Sequence, residues 1–142
     1  MSRIVVVWFH VVAASVWVGG LLYSSHLMVP ALARGEASVL PLLRRGRRVA
    51  WGALALLVVT GLDNLRSLGL GSRWLALKLV MVLVLLMAAA HRDFALLPRA
   101  ARVIDAGRDP GSALGVLRWF DRILVVLALA VLLLAVGVAR GR

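Results

Sequence analysis

The stretch VVVWFHVVAASVWVGG, residues 5–20, decides the fold, because it is apolar almost throughout and yet contains a histidine. A bilayer has a hydrocarbon core about 30 Å thick, which a helix of roughly 20 apolar residues can cross. Segments of this kind occupy residues 4–29, 49–65, 74–91 and 120–139. We therefore predict an all-α integral membrane protein with four transmembrane helices.

The composition indicates the same class of protein. The chain of 142 residues is 63% hydrophobic and 16% charged, whereas a soluble domain is about half apolar and about a quarter charged. Short connections make consecutive spans antiparallel neighbours, so we predict one four-helix bundle over residues 1–142. The first span is longer than the apolar region of a signal peptide, and no small-residue cleavage site follows it. We expect it to stay in the membrane.

The segments between the spans set the expected orientation. Residues 31–48 are typical of a short amphipathic connection, residues 66–73 of a tight turn, and residues 92–112 of a longer polar connection. Most of the 17 Lys and Arg residues belong to the first and third of these segments or border them. Because basic residues accumulate on the cytoplasmic side, we predict a multi-pass protein of a bacterial-type inner (plasma) membrane with both termini outside.

Charge and residue types exclude several functions. The net charge of +11 fits arginines that contact an anionic lipid surface, and no motif for nucleic acid accompanies it. Because the chain has no cysteine, thiolate metal sites and disulfides are excluded. No catalytic nucleophile with its base and no phosphate-binding glycine loop is present, which excludes hydrolysis and phosphoryl transfer. If the protein is an enzyme, we expect a haem-dependent membrane oxidoreductase.

Ionisable residues inside a span are costly and are functional candidates by default. His10 lies in the first span and Lys78 near the start of the third, so antiparallel packing puts both at one level, together with Thr60 and Asp63 at the end of the second. Trp17 shares the helical face of His10. The alternative for this level is structural: a histidine bonded to a neighbouring helix, a lysine that reaches the surface, and an aspartate in an ion pair.

A second set of candidate ligands lies at the other end of the spans. His26 and Met28 end the first span, and Met87 and His91 are one helical turn apart in the third. Imidazole and thioether together suit copper, above all Cu(I), although methionine also fills gaps in apolar cores. His10 and His26 are about 24 Å apart along one helix at 1.5 Å per residue, so they cannot bind one ion together.

Three motifs carry a resemblance to known families. They are His10 followed by SVWVGG (15–20), RRGRRVAWGALALLVVTGL (44–62) and RWLALKLVMVLVLL (73–86). In order and spacing they resemble the CopD (copper resistance protein D) family and the related HemJ-type membrane proteins. The CopD resemblance implies copper movement across the inner membrane. The HemJ resemblance implies b-type haem and protoporphyrinogen oxidation, with His10 and Lys78 as the functional pair.

Three hypotheses for function remain open. In the first, the protein handles copper through buried His and Met ligands, namely His26, Met28, Met87 and His91, with His10 as a further ligand. In the second, it binds haem b as a redox protein, with His10 as axial ligand, Lys78 or Met81 as its partner, and Trp17 and Asp63 beside the cofactor. In the third, it is a ligand-free subunit of a larger membrane complex. The expected partners are the lipid bilayer and either further copies of the chain or such a complex, and not nucleic acid.

Overall fold

The computed structural model describes residues 3–68 and 73–140, and within these the side chains of residues 3–65 and 73–137. The described residues form helices and short turns. Four helical segments are long and apolar enough to cross a membrane: Arg3–Ala33, Val39–Leu65, Arg73–Asp105 and Gly111–Gly137. The prediction of an all-α membrane bundle with four spans is confirmed.

Two of the four spans are interrupted by a π-helical turn. The elements in chain order are α1 (Arg3–Tyr23), a π-turn (Ser24–Met28), α2 (Val29–Ala33), α3 (Val39–Leu68), α4 (Arg73–His91), a second π-turn (Arg92–Leu96), α5 (Leu97–Asp105) and α6 (Gly111–Arg140). Pro30 and Pro98 each occupy the second position of the helix that follows the π-turn. A proline has no N–H and its ring collides with the carbonyl four residues earlier, and the wider π-turn accommodates both defects.

The helices extend further than the sequence indicated. Residues 39–48 and 97–105, which we expected to connect the spans, are helical. They fold because they are amphipathic: α5 buries Leu97, Ala100 and Ala101 on one face. Of the predicted turn at residues 66–73, the first three residues continue α3, and residues 69–72 lie outside the described residues.

Glycines with positive φ form the turns at one end of the bundle. Gly35 has φ of 90° and Gly107 has φ of 64°, values that L-residues with a side chain adopt at a cost. Their N–H groups donate to the carbonyls of Leu32 and Ile104, at 3.0 Å and 2.9 Å. Each turn thus closes the end of one helix and reverses the chain toward the next.

The two halves of the chain follow the same plan. Each half consists of a helix, a π-turn, a short helix with proline at its second position, a glycine turn and a helix of 30 residues. The separation in sequence that relates Pro30 to Pro98 also relates His10 to Lys78. These two polar residues therefore occupy equivalent positions on α1 and α4.

The helices of 30 residues, α3 and α6, correspond in the same way. One separation relates the buried residues Leu43 and Leu117, and it also relates Arg47 to Asp121. This one pair of equivalent positions, Arg47 on α3 and Asp121 on α6, carries opposite charges.

The bundle has two apolar clusters in its interior. α3 packs on α1 and α6 packs on α4, while α6 also contacts α1, α2 and α5. The cluster near the glycine turns contains Met28, Val29, Leu32, Leu40, Leu43, Leu97, Ala100, Ala101, Leu114 and Leu117. The central cluster contains Trp17, Leu21, Leu54, Leu85, Ala89, Leu124 and Ala128. The polar residues Ser24, Arg92, Asp93 and Asp121 lie between the two along their helices.

Most of the apolar surface of the helices faces outward. Leu133 is 73% exposed and Val126 is 66% exposed, and no more than 22% of any span's most apolar stretch is buried within the chain. Exposed apolar surface of this extent on four helices requires a lipid environment. The chain is a multi-pass membrane protein.

Candidate functional site

His10 is held between the first and second spans. Its Nδ1 atom lies 2.9 Å from Oγ1 of Thr60, and Thr60 is buried at 7% exposure. The histidine itself is half-buried on α1. The contact joins the two helices that pack most closely, at the level where the sequence placed both residues.

Gly61 allows the imidazole to lie against α3. A methyl group added at this glycine would sit 3.4 Å from Cε1 and 3.9 Å from Nδ1 of His10, which is van der Waals contact. Thr60 therefore provides a hydrogen-bond partner for the ring, and the next residue, Gly61, leaves space beside it because it has no side chain.

Lys78 is half-buried on α4. It occupies the position on α4 that is equivalent to that of His10 on α1. This agrees with the expectation that the two residues share one level. Met81, almost one helical turn further along α4, is also half-buried. His10, Lys78 and Met81 therefore form the group of predicted site residues that the fold arranges at this end of the bundle.

Trp17, predicted on the helical face of His10, and Asp63, predicted at its level, have different surroundings. Trp17 is buried at 7% exposure in the central apolar cluster, where it packs with Leu21 and Leu54. It is a core residue of the bundle. Asp63 is exposed near the end of the second span.

The four predicted His and Met ligands have different surroundings. Met28 is buried at 7% exposure in the apolar cluster near the glycine turns, whereas Met87 is 67% exposed on α4. His26 is exposed and its Nδ1 atom lies 2.7 Å from Oγ of Ser25, on its own helix. His91 is exposed with its ring 5.4 Å from that of Phe120.

Within one chain, Met28 and Met87 therefore have opposite environments, one in the core and one on the surface. Among the residues that the structure describes, no group of three or more His, Asp or Glu side chains is placed to hold a metal ion. His91 therefore belongs to no such group.

The most extensive polar network of the spans was not predicted. Arg92 lies at the start of the second π-turn and is 7% exposed. Its Nε donates to Oδ1 of Asp121 at 2.6 Å, its Nη1 to Oδ1 of Asp93 at 2.7 Å, and its Nη2 to Oγ of Ser24 at 2.5 Å. One guanidinium group thus joins the first, third and fourth spans.

The second span joins this network through two side chains of α3. Nε1 of Trp51 donates to Oδ2 of Asp93 at 2.9 Å, and Nη1 of Arg47 donates to the backbone carbonyl of Asp93 at 3.0 Å. Phe94 packs on Trp51, with ring centroids 5.2 Å apart, and on the Arg47 guanidinium at 5.6 Å. In the described residues, every buried side-chain polar atom has a hydrogen-bond partner. With two arginines and two aspartates, the network balances its own charge.

A signal for this network was present in the sequence. Arg92 and Asp93 were assigned to the polar connection 92–112, and Asp121, near the start of the predicted fourth span, was not considered as a partner. Acidic residues are scarce in this chain, six in total, and Asp93 and Asp121 lie next to apolar runs. A carboxylate there requires a buried cation, because an unpaired charge in the membrane is costly.

A model of one protein family, CopD (copper resistance protein D), matches residues 40–138 of the chain. The match covers the second, third and fourth spans and includes Thr60, Lys78 and Asp121, whereas His10 precedes it. Neither a curated protein nor a solved structure matches the chain. The resemblance to HemJ-type proteins stays a prediction. Since the match covers more than half of the sequence, the chain belongs to the copper resistance protein D family.

Proposed function

We propose that this protein handles copper in the inner membrane, with both termini outside, and that His10 is a ligand for the ion. The observation that carries the proposal is the membrane-embedded imidazole of His10, whose Nδ1 is occupied by Thr60. Because Thr60 bonds to Nδ1, Nε2 is the ring nitrogen that would bind a metal. A neutral imidazole nitrogen is a common ligand for copper.

Met81 supports the same proposal. It is half-buried on α4, close to Lys78 in sequence and at the His10 end of the bundle. A thioether beside an imidazole favours Cu(I) in a chain that has no thiolate to offer. Copper is here the cargo of the protein, and further copies of the chain or a partner would complete the pathway.

The test is the copper and iron content of detergent-purified protein, measured before and after loading with Cu(I). We expect His10→Ala to lose most of the bound copper. His26→Ala is the matched control, because His26 lies on the same helix but is exposed and bonded within it. Equal copper content in wild type and His10→Ala would contradict the assignment of His10.

A second candidate function is haem binding, favoured by the equivalent positions of His10 on α1 and Lys78 on α4. The residues fit such a group: an imidazole would be the axial ligand, and an ammonium group would pair with a propionate. Bound haem would supply one-electron redox chemistry, which would make the protein a membrane oxidoreductase. This candidate predicts stoichiometric iron and a Soret band that His10→Ala removes.

The same measurement covers the third hypothesis. Protein that contains neither copper nor iron after loading with both, and that purifies only with another protein, would be a structural subunit of a larger complex. The copper proposal would then be wrong.

A further inference from the structure

The hydroxyl of Thr60 has three polar neighbours and one proton. Its Oγ1 lies 2.6 Å from the carbonyl oxygen of Leu56, one turn earlier on α3, 3.3 Å from that of Leu57, and 2.9 Å from Nδ1 of His10. A carbonyl oxygen can only accept a hydrogen bond. When Thr60 donates to Leu56, its oxygen must accept from His10, and this requires the His10 proton on Nδ1.

The opposite arrangement makes fewer hydrogen bonds. If Nδ1 of His10 carried the lone pair, Thr60 would donate to it and could no longer donate to Leu56. The proton of the neutral ring would then sit on Nε2, away from Thr60. Thr60 would keep one hydrogen bond in place of two, and loss of a hydrogen bond at a buried carbonyl is unfavourable. The arrangement with the proton on Nδ1 therefore has the lower free energy.

The contact is also rigid enough to select one arrangement. Thr60 is buried at 7% exposure, and the 2.6 Å bond to its own helix fixes the direction of its hydroxyl. Because Gly61 has no side chain, the ring can lie close to α3, where an added Cβ would be 3.4 Å from its Cε1 atom. The His10 ring thus has one hydrogen-bonded position against α3.

We propose that Thr60 is a positioning residue that holds neutral His10 in the tautomer with the proton on Nδ1, so that Nε2 presents its lone pair to a metal. The role of this lone pair as a ligand rests on the proposed function, whereas the tautomer does not. Histidines that bind metals generally donate their other N–H to an oxygen, and loss of that oxygen typically weakens metal binding by about 10–100-fold.

The tautomer is measurable without any ligand. Long-range ¹H–¹⁵N NMR spectra of metal-free, ¹⁵N-histidine-labelled protein in detergent distinguish the two ring nitrogens. The chain has three histidines, so His10→Gln identifies the His10 signals. We expect the protonated nitrogen of wild-type His10 to be Nδ1. In Thr60→Val, which keeps the shape but removes the hydroxyl, we expect Nδ1 to lose its proton to Nε2 in a substantial fraction of molecules.

Thr60→Ser is the matched control, because it restores the hydroxyl. We expect it to return the wild-type spectrum. For Cu(I), we expect the dissociation constant of Thr60→Val to rise about 10–100-fold, with Thr60→Ser close to wild type. A role confined to packing would leave Thr60→Ser and Thr60→Val with the same spectrum.

Two results would overturn the proposal: wild-type His10 with its proton on Nε2, or a Thr60→Val spectrum identical to that of wild type. Its failure is distinguishable from failure of the proposed function. If the tautomer behaves as expected but wild-type protein binds no copper, the positioning role of Thr60 stands and the copper function is wrong.

Discussion

Arg92 and Asp121 form a buried ion pair across the third and fourth spans, with 2.6 Å between Nε and Oδ1. Asp121 has no exposed surface and Arg92 is 7% exposed. Apolar association between helices is weak in lipid, because the lipid tails are as apolar as the side chains. The pair and its network are therefore the contacts that define how the four spans fit together.

Replacement of Asp121 by alanine is expected to destabilise the bundle strongly. The change leaves the Arg92 guanidinium with Asp93 as its one carboxylate partner among the described residues. Loss of one partner of a buried ion pair typically costs about 3–5 kcal/mol. The free energy of unfolding in mixed micelles measures the effect.

Arg44→Ala is the control for this prediction. The Arg44–Asp105 pair has a similar length of 2.9 Å, but its side chains are 51% and 57% exposed. Exposed pairs contribute about 0–1 kcal/mol. Equal losses in Asp121→Ala and Arg44→Ala would mean that burial adds nothing to the Arg92–Asp121 pair.

The indole N–H of Trp51 is expected to stabilise the same network. Trp51→Phe keeps an aromatic ring against Phe94 but removes the donor to Asp93. A hydrogen bond to a charged group contributes about 1.5–3 kcal/mol, and we expect a loss in this range in the same unfolding assay. Trp119→Phe, at a position 64% exposed, should change the free energy by no more than about 0.5 kcal/mol. A neutral Trp51→Phe would contradict the assigned bond.

The absence of a large side chain at Gly61 is expected to be needed for copper binding. Its added Cβ would only touch His10, so Gly61→Ala should retain copper, whereas the larger side chain of Gly61→Leu occupies the space of the ring. Gly52→Leu is the control on the same helix, since no atom lies within 4 Å of the Cβ position there. Copper per chain, measured on monodisperse protein, reports the outcome. Full copper content in Gly61→Leu would show that copper binding does not require the His10 ring to lie beside position 61.

The exposed pair Met87 and His91 gives the opposite prediction. Both side chains face outward, and among the residues described His91 belongs to no group of three His, Asp or Glu side chains that could hold a metal ion. The double variant Met87→Leu, His91→Gln is therefore expected to keep its copper in detergent, where His10→Ala loses it. If the double variant alone loses copper, the ion binds at this surface, and the ligands that complete the site come from a second molecule.

The sequence was sufficient to predict the four spans but not the polar network around Arg92. Apolar length alone identifies a membrane helix, so residues 4–29 and their three counterparts needed no knowledge of packing. The shared level of His10 and Thr60 followed from antiparallel order, although the contact between them did not. Arg92 was assigned to a connection because the helix was expected to end at residue 91, and the π-turn that turns its side chain inward has no simple sequence pattern.

Equivalent positions in the two halves also determine how the chain can assemble. Arg47 of the first half corresponds to Asp121 of the second, and Ser24 corresponds to Arg92, which bonds to both Ser24 and Asp121. A bundle built from two first halves would place two arginines at this level with no carboxylate between them. One built from two second halves would carry two copies each of Arg92, Asp93 and Asp121 without Arg47, an excess of two negative charges. The charges of the network therefore favour the pairing of a first half with a second half over the pairing of two identical halves.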